Sequence, residues 1–112
     1  MTVKELAAAC GFDVACGEGD REVTGGIYCC DLLSIVMGRA PADCAWVTVM
    51  GNLNSIAVSV LADTACIVLA EGMALYDDAR ARGEQQGVTV LKTSLPVYQA
   101  SMAVAKAIGI LQ

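Results

Sequence analysis

Six cysteines are the residues of this chain with the most obvious chemistry, as thiolate nucleophiles or as ligands of zinc or an iron–sulfur cluster. The sequence contains no C-x-x-C pair and no histidine, whereas structural metal sites usually use closely spaced pairs. We therefore predict no metal ion and no cofactor, and expect free thiols that act as small apolar residues in a reducing compartment. The six are Cys10, Cys16, Cys29, Cys30, Cys44 and Cys66.

The adjacent pair Cys29 and Cys30 keeps a second hypothesis open. Both residues come just before a predicted helix N-terminus, a position that lowers the pKa of a thiol. The alternative function is a redox or iron–sulfur accessory protein in hydrogenase-linked metabolism that uses these two thiols.

Enzymatic motifs are missing from the sequence. Without histidine, serine and cysteine nucleophiles lack their usual base, and no lysine follows the glycines of a G-x-x-x-x-G-K-[ST] phosphate loop. The acidic residues fall mainly at helix caps, at turns and on the Asp77–Glu84 surface. We predict that the chain is not an enzyme and has no catalytic residues; a carboxylate-based enzyme stays open as a third hypothesis, although no spacing points to one.

Polar and glycine-containing turns after predicted strands favour ligand binding instead. In open α/β sheets, ligands bind beyond the carboxyl ends of parallel strands, where glycine allows close approach to backbone N–H groups. Helix N-termini after such turns favour anions. The candidate ligand residues are Asn52, Asn54, Glu71, Gly72 and Ser94, joined by Thr24, Gly25 and Gly26 if the fold brings that turn to the same edge. The simpler interpretation is that all of these are only turns and caps.

Length and composition predict one self-sufficient domain that associates with a second copy. The 112 residues are enough for an ordinary core, and the hydrophobic fraction of 56% is above the usual range. Such an excess indicates a sheet covered on both faces, apolar surface buried in a homodimer, or both, and we favour both. The net charge of -5 argues against binding to nucleic acid.

We also predict a cytoplasmic protein with no membrane segment. The first residues lead directly into a helix without an apolar leader, and the longest apolar stretch, Ile56–Ala70, is broken by Asp63 and Thr64.

Hydrophobic periodicity predicts five strands and five helices. The strands are Phe12–Cys16, Ile27–Cys30 (strand or extended chain), Ala45–Met50, Ala65–Ala70 and Val88–Leu91. The capping box Thr2-Val3-Lys4-Glu5 begins the first helix and Gly11 ends it. Asp31 and Asn54 are the predicted caps of the second and third helices.

The last two helices follow the same rules. Residues Asp77–Gln86 predict a polar surface helix that ends at Gly87, and Thr93 or Ser94 is expected to cap the final helix with Pro96 in its first turn. Alternating strands and helices predict an α/β fold: a single compact domain with a mostly parallel sheet and helices on both faces.

Several segments together resemble the DRTGG domain family, from about Glu22 to Leu111 and most clearly over residues 22–72. This chain keeps Thr24-Gly25-Gly26 but has Glu22 and Val23 where the family name has Asp and Arg. The other segments that carry the resemblance are Asp31-Leu32-Leu33-Ser34, Val36-Met37-Gly38, Ala45-Trp46-Val47-Thr48, Asn52-Leu53-Asn54 and Ala57-Val58.

The resemblance implies an α/β domain similar to the N-terminal domain of HPr kinase/phosphorylase. Domains of this family occur beside CBS domains in some pyrophosphatases and beside phosphotransacetylase domains, as regulatory or oligomerisation modules without catalytic activity. Stand-alone versions occur near iron-only hydrogenase genes. Residues 1–112 are accordingly predicted to form a single DRTGG-like domain with a regulatory, ligand-binding and dimerisation role, for a small anionic or nucleotide-like ligand.

Overall fold

Helices and strands alternate along the chain, apart from two consecutive strands after the first helix, in the computed structural model, which describes residues 1–111. The strands are β1 (Asp13–Cys16), β2 (Ile27–Cys29), β3 (Ala45–Thr48), β4 (Cys66–Leu69) and β5 (Val90–Lys92). The helices are α1 (Val3–Cys10), α2 (Leu33–Arg39), α3 (Leu53–Ala62), α4 (Asp77–Gln86) and α5 (Val97–Ala107).

The five strands form one sheet in the order β1-β5-β4-β3-β2. Strands β2 to β5 run parallel, with Trp46 of β3 opposite Ile67 of β4, and only β1 is antiparallel to its neighbour. The predicted mostly parallel α/β sheet is therefore confirmed. The carboxyl ends of β2 to β5 meet at one edge, here named the carboxyl edge, and their starts lie at the opposite amino edge.

Helices cover both faces of the sheet because successive side chains of a strand point to opposite sides. On one face, α1 and α5 pack against Val47 and Val68. On the other face, α2, α3 and α4 cover Trp46, Ile67 and Leu69. The central strands β3 and β4 are buried along their whole length, which explains their unbroken apolar sequences.

Two of the predicted helix caps are confirmed at α1. The hydroxyl of Thr2 accepts a hydrogen bond of 3.2 Å from the N–H of Glu5, and the N–H of Thr2 donates to the Glu5 carboxylate at 2.8 Å. These bonds lower the pKa of Glu5, since they favour its charged form. Gly11 ends the helix with a φ of +70°.

The caps of α2 and α3 differ from the prediction. Asn52, and not Asn54, caps α3: its side-chain oxygen accepts from the N–H of Ser55 at 3.0 Å. Asp31 does not cap α2 but accepts hydrogen bonds from the hydroxyl of Thr48 (2.7 Å) and the N–H of Val49 (3.1 Å). Its carboxylate therefore joins the ends of β2 and β3.

The cap of α5 also comes from elsewhere in the chain. The hydroxyl of Thr93 accepts from the N–H of Leu95 within the preceding loop, at 3.1 Å, so neither Thr93 nor Ser94 caps the helix. The first helical N–H, that of Val97, donates instead to the carboxylate of Glu71. Within residues 1–111, no helix is both long enough and apolar enough to cross a membrane.

Candidate functional site

The carboxyl edge brings together most of the predicted ligand residues. Asn52 follows β3, Glu71 and Gly72 follow β4, and Ser94 follows β5, while Asn54 lies in the first turn of α3. This arrangement arises because parallel strands end at the same edge, so turns that are distant in sequence become neighbours.

A cavity of about 230 Å³ opens at this edge, between the loops after β4 and β5. Two of its lining residues, Gly72 and Ser94, were predicted from the sequence. The other three are Asp13, Lys92 and Thr93. Lys92 is the only cation in the lining, and Gly72 has no side chain to block access. The ammonium group and the two hydroxyl groups of this lining are suited to an anionic oxygen, such as that of a phosphate, while the carboxylate of Asp13 opposes one.

Glu71 and Gly72 shape this cavity by holding its walls together. The N–H of Glu71 donates to the carbonyl of Leu95 at 2.8 Å, and the N–H of Gly72 donates to the carbonyl of Thr93 at 3.0 Å. The Glu71 carboxylate also accepts from the N–H of Val97 at 2.9 Å. These backbone N–H groups are consequently used inside the protein, which makes Glu71 a positioning residue.

The backbone of this turn is unusual for a residue with a side chain. Glu71 has a φ of +62° and Gly72 a φ of +67°, both in the left-handed region. Such a conformation costs roughly 1–2 kcal/mol for a residue other than glycine. The three hydrogen bonds to the loop after β5 and to α5 offset that cost.

The two asparagines lie along the same edge but outside the cavity lining. Asn52 is half-buried, and its side-chain oxygen accepts from both the N–H (3.0 Å) and the hydroxyl (3.3 Å) of Ser55. Asn54 is exposed at the N-terminus of α3. Asn52 thus has a structural role as a cap, whereas Asn54 faces solvent.

The Thr24-Gly25-Gly26 turn lies at the opposite, amino edge. The N–H of Gly25 donates to the carbonyl of Asp43, and the carbonyl of Gly26 accepts from the N–H of Ala45, both at 2.9 Å. A Cβ atom on Gly25 would overlap the carbonyl oxygen of Ala42. This turn starts β2 and requires glycine for close packing, and the fold does not bring it to the other predicted residues.

The amino edge has a larger cavity that the sequence did not predict. Its volume is about 350 Å³, and its lining includes the carboxylates of Glu18, Asp20 and Glu84 together with Arg21. Glu84 accepts from the N–H of Gly17 at 3.1 Å. Three carboxylates disfavour an anionic ligand more than the single carboxylate of Asp13 does in the other cavity, so this cavity is a poorer match to the predicted ligand than the one at Lys92.

The one guanidinium in that lining is already paired. Arg21 forms ion pairs with Asp43 at 2.7 Å and with Asp63 at 2.8 Å, and it also donates to the carbonyl of Asp63. Burial would lower the pKa of Arg21, but the hydrogen bonds to the two carboxylates raise it overall. Sequence reasoning could not find this group, because its members are separated by 20 or more positions.

The adjacent thiols of Cys29 and Cys30 point to opposite faces of the sheet. Cys29 is exposed, and its sulfur lies 3.1 Å from the hydroxyl of Ser101 on α5. Cys30 packs against the core under α2 and α3. In the part of the chain that the structure describes, no three His, Cys, Asp or Glu side chains are grouped to hold a metal ion. The alternative function, a redox or iron–sulfur accessory protein, stays a prediction. None of the contacts described for Cys29 and Cys30 favours it.

The buried thiols are poorly suited to reaction. Burial raises the pKa of Cys44 to about 11 and that of Cys66 to about 12, since the thiolate would lose its solvation. Burial also raises the pKa of Cys10 and Cys16. These four residues remain neutral thiols near pH 7 and act as small core side chains.

Comparisons with known proteins add a likeness to a solved structure. No protein-family model and no curated protein matches the sequence. The fold is similar to a crystal structure of the CBS and DRTGG domains of the regulatory region of the Clostridium perfringens pyrophosphatase, complexed with its activator diadenosine tetraphosphate. The TM-score is 0.69, at 7% sequence identity over 95% of this chain.

The chain has a DRTGG-like α/β fold. It spans 46% of the chain of that pyrophosphatase region, and at 7% identity the likeness concerns the fold alone. The resemblance to the DRTGG family is thereby supported at the level of architecture, while the similarity to the N-terminal domain of HPr kinase/phosphorylase stays a prediction.

Proposed function

We propose that residues 1–112 form a regulatory, non-catalytic module that binds a small anionic or nucleotide-like ligand at the carboxyl edge. The observation that carries this proposal is the 230 Å³ cavity in which Lys92 lies beside Thr93, Ser94 and Gly72. A phosphate oxygen placed there gains a cation and two hydroxyl donors, in the position where open α/β sheets bind ligands.

The pyrophosphatase region with a similar fold supports this choice of ligand. It is a regulatory region, and its activator, diadenosine tetraphosphate, contains both adenosine groups and phosphates. A ligand that contains adenosine and phosphate groups would suit a cavity with one lysine, because the phosphates carry negative charge. The cavity holds one phosphate or one end of a nucleotide, and the rest of the ligand would extend along the carboxyl edge past Asn52 and Asn54.

The predicted residues take different roles in this proposal. Gly72 and Ser94 contact the ligand, Glu71 positions the loop that carries Ser94, and Asn54 is available to the part outside the cavity. The Thr24-Gly25-Gly26 turn has a structural role at the amino edge. We add Lys92 as the principal charged contact.

We further propose that the module acts as a cytoplasmic homodimer. Among residues 1–111, fourteen large apolar side chains stay exposed in the single chain, which supports association with a second copy. A regulatory domain usually binds a ligand and associates with a partner, and it does not catalyse a reaction.

The direct test is the melting temperature of the purified protein with inorganic phosphate, adenine mononucleotides and diadenosine polyphosphates. We expect at least one of the nucleotides to raise the melting temperature, and Lys92→Gln to abolish the rise. Lys106→Gln is the matched control, because it removes the same charge from the exposed end of α5. An equal effect of both variants, or no rise with any compound, would count against the site.

A further inference from the structure

We infer that the outer surface of α2 and α3 is the contact face through which two copies of this chain associate. This inference rests on the homodimer of the proposed function and assigns it a surface. The face, here named the α2–α3 face, lies on the opposite side of the sheet from α1 and α5.

The α2–α3 face is almost free of charge. The 7 residues of α2 and the 10 residues of α3 include a single charged side chain, Arg39, at the end of α2. The neighbouring helix α4, in the same layer, has the sequence DDARARGEQQ and is charged along its length. A helix with few charges and apolar residues on its outer side is normally covered there, and α4 shows what a solvent-exposed helix of this chain looks like.

Large apolar side chains lie exposed across this face. They leave between 36% and 70% of their area accessible, although α2 and α3 pack side by side over the sheet. The six are Leu32, Ile35, Met37, Leu53, Val60 and Leu61. On α3, Leu53, Ala57 and Leu61 follow at a spacing of four, so they form one stripe along the helix.

The area of the face suits a dimer. Six such side chains, about half exposed, present on the order of 500 Å², and each partner in a stable interface buries about 800 Å². The exposed small residues Ser34, Gly38 and Ala57 between them supply further flat surface. A largest apolar patch of this size is at the upper end of what monomers expose.

The charge of the chain favours a second copy as the occupant. Each copy carries a net charge of -5, so two copies repel each other through most of their surfaces. A face without carboxylates is where two identical acidic molecules meet without repulsion between these groups. A two-fold axis through this face pairs the same patch with itself and closes the assembly at two copies.

The test is the oligomeric state of the full chain by sedimentation velocity across a concentration series. We expect a dimer whose dissociation constant rises about tenfold or more in Leu61→Asp and in Leu32→Asp. Tyr98→Asp on α5 is the matched control: Tyr98 is 71% exposed and Leu61 70%, but they lie on opposite sides of the sheet. Circular dichroism melting of each variant verifies that it is folded.

Three results would overturn the inference, and they separate it from the proposed function. If the wild type is a monomer, the proposed homodimer is wrong. If only Tyr98→Asp dissociates the dimer, the contact lies on α5. A dimer that resists both α2–α3 variants excludes this face. Nucleotide binding, measured on the wild type and on Leu61→Asp, tests the carboxyl edge separately, because Leu61 lies at the opposite end of α3 from that edge.

Discussion

Glu71 accepts a hydrogen bond of 2.9 Å from the N–H of Val97, 26 positions further along the chain. The carboxylate thereby caps α5 and places a negative charge at the positive end of the helix dipole. The same residue donates its own N–H to Leu95. One side chain and its backbone thus hold the loop after β5 against the loop after β4, where the candidate cavity lies.

Replacing Glu71 separates the stabilisation that its carboxylate gives as a helix cap from the conformational cost of its left-handed backbone. Glu71→Ala removes the cap and should lower the free energy of unfolding by about 1 kcal/mol. Glu71→Gly removes the same cap but tolerates the φ of +62°, so it should be about 1 kcal/mol more stable than the alanine variant. Urea unfolding measures both. Equal stability of the two variants would show that the backbone of residue 71 carries no cost.

Gly25 and Gly26 should respond differently to alanine. A Cβ on Gly25 meets the backbone of Ala42, so Gly25→Ala should destabilise the fold by about 2–3 kcal/mol. Gly26 has a φ of +76° with open space around it, and Gly26→Ala should cost about 1 kcal/mol. Thermal unfolding compares the pair. If Gly25→Ala keeps its stability but loses nucleotide binding, the turn is a ligand contact after all.

The six thiols should react in an order set by burial. Cys29 is exposed, whereas Cys16, Cys44 and Cys66 are buried. Titration of the folded protein with a thiol reagent should modify Cys29 first, and mass spectrometry should find Cys44 and Cys66 unmodified until denaturant is added. Rapid modification of Cys66 in the folded state would contradict the packing of the core.

Stability should fall at alkaline pH because of the buried thiols. The ordinary thiol pKa of 9.0 rises to about 11 for Cys44 and about 12 for Cys66 in the folded protein. The folded state therefore binds these protons more tightly than the unfolded state. Their contribution is complete below about pH 9 and is lost as the pH rises from 9 towards 12.

The matching measurement is the free energy of unfolding against pH for the wild type and Cys66→Ala. The variant is less stable at neutral pH because it leaves a cavity, but its decline above pH 9 should be shallower. The two proteins differ only at position 66. Parallel pH profiles would mean that Cys66 does not contribute to the loss of stability above pH 9.

Local patterns were enough to predict the architecture. The apolar sequence around Trp46 indicates a strand covered on both faces, and β3 is buried throughout. The capping box of Thr2 and Glu5 is equally local, since both partners lie within four residues. The mostly parallel sheet was predicted, but the strand order and the antiparallel addition of β1 to the edge of β5 were not.

The choice between neighbouring caps and the contacts between distant residues were not predictable. Asn52 and Asn54 are both plausible caps by residue type, and only the path of the chain decides between them. Asp31 looks like a cap, but the three-dimensional fold offers it Thr48 instead. Lys92 gave a weak signal, as a charged residue that ends an apolar strand before Thr93. The hydrogen bond between Glu71 and α5 could not be predicted, because nothing in the local sequence relates this residue to that helix.

The central claim, ligand binding at the carboxyl edge, is tested most directly by mapping amide chemical shifts in a ¹⁵N-labelled sample during titration with diadenosine tetraphosphate. Saturable shifts are predicted at Gly72, Lys92 and Ser94, and they should be lost in Lys92→Gln. Shifts centred on the amino edge at Gly17 and Arg21, or no saturable shifts with any adenine nucleotide, would contradict the account.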